Sequence, residues 1–149
     1  MTMMTSLREL EQGNIQQMNL GQHVLAEFFE CDPNILNSIT SVEKHMIDAA
    51  LECGATIVQK CFHMFNPYGV SGVVIISESH LAIHTWPELG YAAVDLFTCG
   101  SSCDPMVAYE FLKKKFNSRV ANYTELKRGI IDSETMKLSN QRFQLAQQV

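Results

Sequence analysis

Runs of apolar and aromatic residues, separated by turn signals, predict strands along much of the chain. The run from His23 to Phe29 predicts a first strand, which ends at the turn-forming pair Asp32 and Pro33. Later runs are joined by short turn-like links, and links this short favour antiparallel neighbours. The strands predicted after the first are Ala55–Phe65, which could be broken into two pieces, Gly69–Ser77, His80–Trp86, Tyr91–Thr98 and Arg119–Leu126.

Apolar positions with a helical period predict two helices. The first begins at a capping box formed by Thr40 and Glu43 and ends before Gly54, a residue typical of helix C-terminal caps. The second begins at Asp104, which is followed by Pro105 at the first helical position. The two apolar faces consist of Val42, Met46, Ala49, Ala50 and Cys53, and of Val107, Ala108, Phe111, Leu112 and Phe116.

The order of these elements, β-α-β-β-β-α-β with three or four strands between the helices, predicts an α+β fold. We expect a two-layer sandwich in which a mostly antiparallel sheet carries the helices on one face. With 149 residues, of which 46% are hydrophobic, the chain suits a single domain over residues 1–149. Residues 1–20 and 130–149 are polar and poorly patterned, so they are expected to be tails.

Charge and hydropathy narrow the classes of partner. A formal net charge of -5 disfavours nucleic acid, since binding to phosphates depends on clustered cations. The one basic run, Lys113–Lys115, suits the C-terminal end of the second predicted helix. The longest apolar run, Val73–Ile76, is far too short to cross a membrane, and residues 1–20 do not resemble an export signal. We therefore expect no membrane partner and a cytoplasmic location.

The chain has five cysteines. An odd number without a secretory signal argues for reduced thiols rather than for a disulfide framework. At least one thiol is therefore expected to be free for chemistry.

The segment Ser77–Glu88 concentrates reactive side chains inside a predicted sheet, where such side chains are uncommon without a function. His80 and His84 have the spacing of two zinc ligands on a helix, and Cys99 with Cys103 could complete a tetrahedral site. On a strand, however, the two histidines lie roughly 13 Å apart, too far to share one ion. The sequence therefore predicts no metal site, and a non-catalytic His/Cys metal-binding module stays an alternative.

A hydrolase-type pairing is a second alternative, in which Ser79 or Cys99 is the nucleophile and His84 is the base. The spacing of these residues leaves this alternative open. No Gly-x-Ser-x-Gly elbow surrounds Ser79, however, and no family-type signature surrounds Cys99. This interpretation names a type of chemistry but no substrate.

A third interpretation depends on a resemblance. The segments Glu78–His80 and His84–Glu88, with Cys99 twenty residues after Ser79, resemble the bacterial and archaeal S-adenosylmethionine decarboxylases, the small pyruvoyl enzymes of spermidine synthesis. The resemblance extends roughly from Gly21 to Gly129. A lone Glu-Ser pair would indicate nothing, whereas the whole set at this spacing is specific.

The resemblance implies that the chain cuts its own backbone between Glu78 and Ser79. The fragments would be residues 1–78 and 79–149, which stay together because their strands share a sheet. Ser79 would become a covalently attached pyruvoyl group, which forms a Schiff base with the substrate amine, and neither a metal nor pyridoxal phosphate would be needed. The family pattern implies that His84 and Ser71 assist this processing and that Cys99 is the proton donor during turnover.

The resemblance also implies a substrate site. Glu88 corresponds to the carboxylate that holds the ribose hydroxyls of S-adenosylmethionine, and Phe65 and Trp86 correspond to aromatics of the adenosine pocket. In this family these three residues come from the neighbouring subunit, which implies a homodimer. Related pyruvoyl enzymes that decarboxylate arginine or ornithine are the nearest alternative, but those substrates lack adenosine.

Overall fold

In this computed structural model, residues 17–77 and 79–147 are described, residue 143 by its backbone alone. Strands and helices follow one another along the chain with short connections. The strands are β1 (Gln17–Phe29), β2 (Ile57–Met64), β3 (Val70–Ile76), β4 (Ser79–Trp86), β5 (Tyr91–Cys99) and β6 (Val120–Asp132). The helices are α1 (Pro33–Leu36), α2 (Ile39–Glu52), α3 (Pro105–Lys115) and α4 (Ser133–Ala146), and a 3-10 turn, Pro87–Leu89, separates β4 from β5.

The six strands form one sheet in the order β2-β3-β4-β5-β1-β6. Strands β2 to β5 are a meander of antiparallel neighbours, and β1 pairs antiparallel with β5. Four strands therefore lie between α2 and α3, and the predicted α+β fold with a mostly antiparallel sheet is confirmed. The short links determine the antiparallel arrangement, because a hairpin connection can only join antiparallel strands.

Alternation along the strands separates a covered face of the sheet from an uncovered one. On β4, Leu81, Ile83 and Thr85 are buried, whereas His84 and Trp86 between and after them are exposed. Leu81 and Ile83 join residues of α2 and α3 in one apolar core, so these helices lie on one face as predicted. The exposed set lies on the other face, which we call the uncovered face.

The helix caps confirm one sequence prediction and correct another. The carboxylate of Asp104 accepts a hydrogen bond from the Met106 amide at 2.9 Å, as expected for the N-cap of α3. Helix α2 begins earlier than predicted, because the Ser38 hydroxyl caps it by accepting from the Ser41 amide at 3.2 Å. Thr40 therefore lies within the first turn, and the predicted capping box is wrong.

The chain divides into two compact units, residues 21–128 and, among described residues, residues 17–20 with 129–147. In the smaller unit, α4 begins where the Asp132 carboxylate accepts from the Thr135 amide at 2.7 Å. The hydrogen bonds from the Thr135 amide and hydroxyl lower the pKa of the Asp132 carboxyl group. Helix α4 thus lies within residues 130–149, which were expected to be a tail. Its N-cap, Asp132, favours a helix that the polar sequence pattern did not reveal.

The cysteines correct the prediction of reduced thiols. Cys53, at the end of α2, and Cys103, just before α3, form a disulfide with a Cα–Cα distance of 4.9 Å. Cys31, Cys61 and Cys99 are free. The expected compartment favours reduced thiols, whereas packing brings these two helix ends together. The bond also removes Cys103 from the metal-ligand set considered above.

Reduction of this disulfide is expected to destabilise the protein. In an uncleaved chain the bond closes a loop with a sequence separation of 50, for which loop entropy corresponds to about 4 kcal/mol. We expect dithiothreitol to lower the Tm of the uncleaved Ser79→Ala chain, measured by circular dichroism, by on the order of 10 °C. In that background, Cys53→Ser should lower the Tm with or without reductant, while Cys61→Ser should leave the response to reductant unchanged. A Tm of the Ser79→Ala chain that reductant does not change would contradict the prediction.

Candidate active site

Antiparallel register brings Ser71 and His84 together on the uncovered face. The two residues are directly opposite each other on β3 and β4, and the Ser71 Oγ lies 2.7 Å from the His84 Nδ1. A hydroxyl and an imidazole at this distance can share a proton. The structure therefore pairs the two residues that the resemblance implies as processing helpers.

A second pair lies at the other end of β4, between that strand and β5. The Ser79 hydroxyl donates a hydrogen bond to the Cys99 Sγ at 3.2 Å, and both side chains are half-buried. Ser79 is the first residue of β4 and Cys99 the last of β5, and antiparallel pairing of His80 with Phe97 brings these strand ends together. The spacing of twenty residues is thus the length of one hairpin. Glu78, the other half of the expected cleavage site, lies outside the described residues.

The two pairs are separate within one chain. Ser79 and His84 are five positions apart on β4, which corresponds to roughly 16 Å along a strand. His84 is hydrogen-bonded to Ser71, and neither Ser79 nor Cys99 is its partner among the described contacts. The hydrolase-type pairing with His84 as base is therefore wrong for a single chain.

An aromatic row extends from Trp86 across the uncovered face. The Trp86 ring stacks on Tyr91 with centroids 5.2 Å apart, and Tyr91 stacks in turn on Phe29 at 5.0 Å. The Tyr91 hydroxyl donates to the Glu27 carboxylate, and burial together with this carboxylate raises the pKa of Tyr91 to about 12. Sequence analysis missed Tyr91 and Glu27. The strand register, which pairs Trp86 with Tyr91, is the signal that could have identified them.

The other expected substrate residues lie on neighbouring turns. Glu88 is in the 3-10 turn after Trp86, and Phe65 precedes β3, half exposed and packed edge-on against His63 at 4.7 Å. Trp86 and Glu88 are thus brought to one turn, while Phe65 lies on another. A groove of about 320 Å³ is lined by Pro33, Asn34, Asn37, Tyr68, Pro87 and Glu88.

A basic and aromatic cluster lies next to the Ser79–Cys99 end of the sheet. The Arg128 Nη1 is 3.0 Å from the His23 Nδ1, and the guanidinium lies over the Phe97 ring at 5.2 Å. Burial is the main cause that lowers the pKa of His23; Arg128 and His80 also lower it, and Asp95 opposes them. The His23 Nε2 is buried without a hydrogen-bond partner in the described part of the chain. Sequence analysis missed this cluster because only the strand register assembles it.

Within residues 17–77 and 79–147, no group of three or more His, Cys, Asp or Glu side chains could hold a metal ion together. No helix there has the length and apolar character needed to cross a lipid bilayer.

Comparison with known proteins identifies the family. A family model described as S-adenosylmethionine decarboxylase matches residues 22–129. The chain belongs to the S-adenosylmethionine decarboxylase family. Curated relatives named S-adenosylmethionine decarboxylase proenzyme include one from Fervidobacterium nodosum, 60% identical over 76% of this chain and 83% of the relative. Another, from Moorella thermoacetica, is 59% identical over 76% of this chain and 90% of the relative.

The fold agrees with a solved structure of the same family. The adenosylmethionine decarboxylase from Aquifex aeolicus superimposes with a TM-score of 0.73 at 30% identity, covering 77% of this chain and 95% of that one. The region matched by the family model contains all of the candidate site residues, from Phe65 to Cys99. Helix α4 lies beyond that region, so it is an addition to the part that defines the S-adenosylmethionine decarboxylase family.

Proposed function

We propose that this chain is a self-processing, pyruvoyl-dependent S-adenosylmethionine decarboxylase. It would convert S-adenosylmethionine to its decarboxylated form and CO2. The decarboxylated form supplies aminopropyl groups for spermidine and polyamine synthesis. The observation that carries the proposal is the Ser79 hydroxyl 3.2 Å from the Cys99 thiol, at the beginning of β4. This contact supports the proposal, because the serine expected to be converted lies beside the expected proton donor.

Processing uses the chain's own atoms. The Ser79 hydroxyl attacks the carbonyl carbon of Glu78, which turns the peptide bond into an ester. Removal of the Ser79 α-proton then expels the Glu78 carboxylate and leaves dehydroalanine, which water converts to the pyruvoyl group with release of ammonia. No metal or other cofactor is required, because the atoms that form or break bonds belong to residues 78 and 79 and to water.

The residues around Ser79 fit such a group. The pyruvoyl group supplies an electrophilic carbonyl that accepts the electrons released with CO2. Cys99 would return a proton to the substrate carbon, since its thiol lies within hydrogen-bond distance of residue 79. Its half-buried position limits access of water as a competing proton source.

The distance between the two pairs supports a homodimer. His84 cannot reach Ser79 in its own chain, because five strand residues span roughly 16 Å. The uncovered face carries the Ser71–His84 pair together with exposed apolar side chains, including Ile75, Phe29 and Trp86. We infer that two copies associate through this face and that Ser71 and His84 of one copy assist processing in the other. The two cleavage fragments of each copy would stay together in the sheet.

Trp86 and Glu88 support a nucleoside substrate. An indole face attracts both a stacked adenine and the sulfonium cation, and a carboxylate accepts two ribose hydroxyls. Phe65 would complete the adenosine pocket, and all three would be supplied by the partner chain. Arginine and ornithine offer neither adenine nor ribose, so these side chains would have no counterpart in a decarboxylase for those amino acids.

The substrate test measures release of labelled CO2 from carboxyl-labelled S-adenosylmethionine, arginine and ornithine. We expect turnover of S-adenosylmethionine alone, and trapping by borohydride of substrate on the fragment that begins at residue 79. The Glu88→Gln variant should raise the KM for S-adenosylmethionine. Release of CO2 from arginine or ornithine at a comparable kcat/KM would overturn the choice of substrate.

We place the protein in the cytoplasm without a nucleic-acid or membrane partner, in keeping with a net charge of -5 and a small-molecule substrate. The disulfide between Cys53 and Cys103 would be unusual there, because cytosolic thiol systems keep most cysteines reduced. Alkylation of thiols during cell lysis reports the state of this pair. A bond fully formed in living cells would argue for a different compartment.

A further inference from the structure

The expected substrate residues lie on two turns that are each closed by their own backbone. In the first turn, the Phe65 amide donates to the Gly69 carbonyl at 2.9 Å. In the second, which follows Trp86, the Gly90 amide donates to the Pro87 carbonyl at 3.1 Å. Closed turns of this kind keep their shape, but their placement relative to each other depends on what anchors them.

Both turns are anchored to the segment Cys31–Asn37, which contains α1. The Cys31 amide donates to the Gly90 carbonyl at 2.9 Å, which holds the second turn. The Asn37 Oδ1 accepts from the Gly69 amide at 3.1 Å, which holds the first. One short segment therefore fixes the two turns in a common frame.

The Thr85 hydroxyl joins this segment to the sheet. It donates to the Leu36 carbonyl at 2.9 Å and accepts from the Val70 amide at 2.8 Å. Thr85 is 6% exposed, so both backbone groups would lack a partner in the core if the hydroxyl were removed. Its neighbours in sequence are His84 and Trp86.

Close packing makes this junction rigid. Gly69 has a φ of +101°, and a Cβ atom there would lie 2.8 Å from the Thr85 carbonyl oxygen. The first turn therefore lies directly against the end of β4. The groove beside Glu88 is bounded by residues of all three segments: α1 with Asn37, the first turn, and the 3-10 turn. Movement of any one of them would change the position of the Glu88 carboxylate relative to the other walls.

We propose that Thr85, together with Asn37, is a positioning residue for substrate binding. Its hydroxyl holds Trp86 and Glu88 in the geometry that binds the nucleoside, without touching the substrate itself. This inference rests on the proposed function, which makes Trp86 and Glu88 substrate ligands. It predicts that substrate affinity depends on a buried threonine and that the chemical step does not.

The test compares Thr85→Val, which keeps the shape but removes the hydroxyl, with Thr85→Ser, which restores it. We expect Thr85→Val to raise the KM for S-adenosylmethionine about 3- to 10-fold, as the loss of one or two hydrogen bonds implies, with kcat of the cleaved enzyme within about twofold of wild type. Thr85→Ser should return KM to near the wild-type value. Asn37→Leu should act like Thr85→Val and serves where that variant folds poorly.

A second readout does not depend on activity. Trp86 is the single tryptophan of the chain, so intrinsic fluorescence reports on it alone. We expect acrylamide quenching of Trp86 to change in Thr85→Val and Asn37→Leu and to stay at the wild-type level in Thr85→Ser. Leu112→Ala, which opens a cavity on α3, is the control for a general loss of stability and should change neither the quenching nor KM.

The outcomes separate this inference from the proposed function. If Glu88→Gln raises KM while Thr85→Val and Asn37→Leu leave KM and quenching unchanged, the inference is overturned and the proposed function stands. A KM raised equally by Leu112→Ala would also overturn it, because the effect would then follow stability. A wild-type chain that releases no CO2 from S-adenosylmethionine would overturn the proposed function and, with it, the role in substrate binding.

Discussion

Replacing Ser79 by alanine is expected to leave the chain as one polypeptide of 16.8 kDa and to abolish decarboxylation. Alanine has no hydroxyl to attack the Glu78 carbonyl, so neither the ester nor the pyruvoyl group can form. The wild type should give two fragments, residues 1–78 and 79–149. The measurement is a denaturing gel run with reductant, followed by intact mass, in which the second fragment should lack an amino group at its start.

Ser77 provides the matched control for this experiment. It lies two residues earlier, directly after β3, where its backbone amide donates to the Thr56 carbonyl at 2.9 Å. Ser77→Ala keeps that bond, so it should still be cleaved and active. Cleavage of the Ser79→Ala chain at the same place, or an intact wild-type chain with full activity, would contradict the proposed origin of the cofactor.

Removal of the His84 imidazole is expected to slow cleavage by about 10²- to 10⁴-fold, the usual contribution of a proton-transfer group. Because His84 lies roughly 16 Å along β4 from Ser79, the effect should be exerted on the partner chain. Co-expression of His84→Ala with Ser79→Ala, each inactive alone, should therefore restore cleavage. Random pairing would allow roughly half of the His84→Ala chains to be cut.

Different affinity tags distinguish the two chains on a reducing gel. The matched control is co-expression of His84→Ala with the double variant Ser79→Ala/His84→Ala, which supplies a partner without an imidazole and should restore nothing. If His84→Ala stays uncut beside Ser79→Ala, or is cut at the wild-type rate when expressed alone, assistance between two copies is excluded.

Much of the fold follows from the sequence because its signals are local. Asp104 and Pro105 start α3, Gly54 follows the end of α2, and short links between apolar runs determine the antiparallel meander. The structure differs where two local signals compete or where a weak one was overlooked. Ser38 rather than Thr40 caps α2, and the Asp132 cap starts α4 in a polar segment without a clear apolar period.

The site was predictable in its residue types but not in its contacts. Ser71, Ser79, His84 and Cys99 were named by resemblance, but only the strand register shows that they form two pairs rather than one group. The role of Thr85 and the contacts of the cluster around His23 depend on which backbone and side-chain groups meet across strands. These contacts join residues that are far apart in the sequence, so local sequence patterns do not predict them.

The disulfide has a consequence for the processed enzyme. Cys53 belongs to the fragment that ends at residue 78 and Cys103 to the fragment that begins at residue 79, so the bond spans the cut. After cleavage it would be a covalent cross-link between two polypeptides. Joining the two fragments of one protomer during refolding would then be a unimolecular step that dilution does not affect, whereas fragments separated by reduction would have to meet by diffusion.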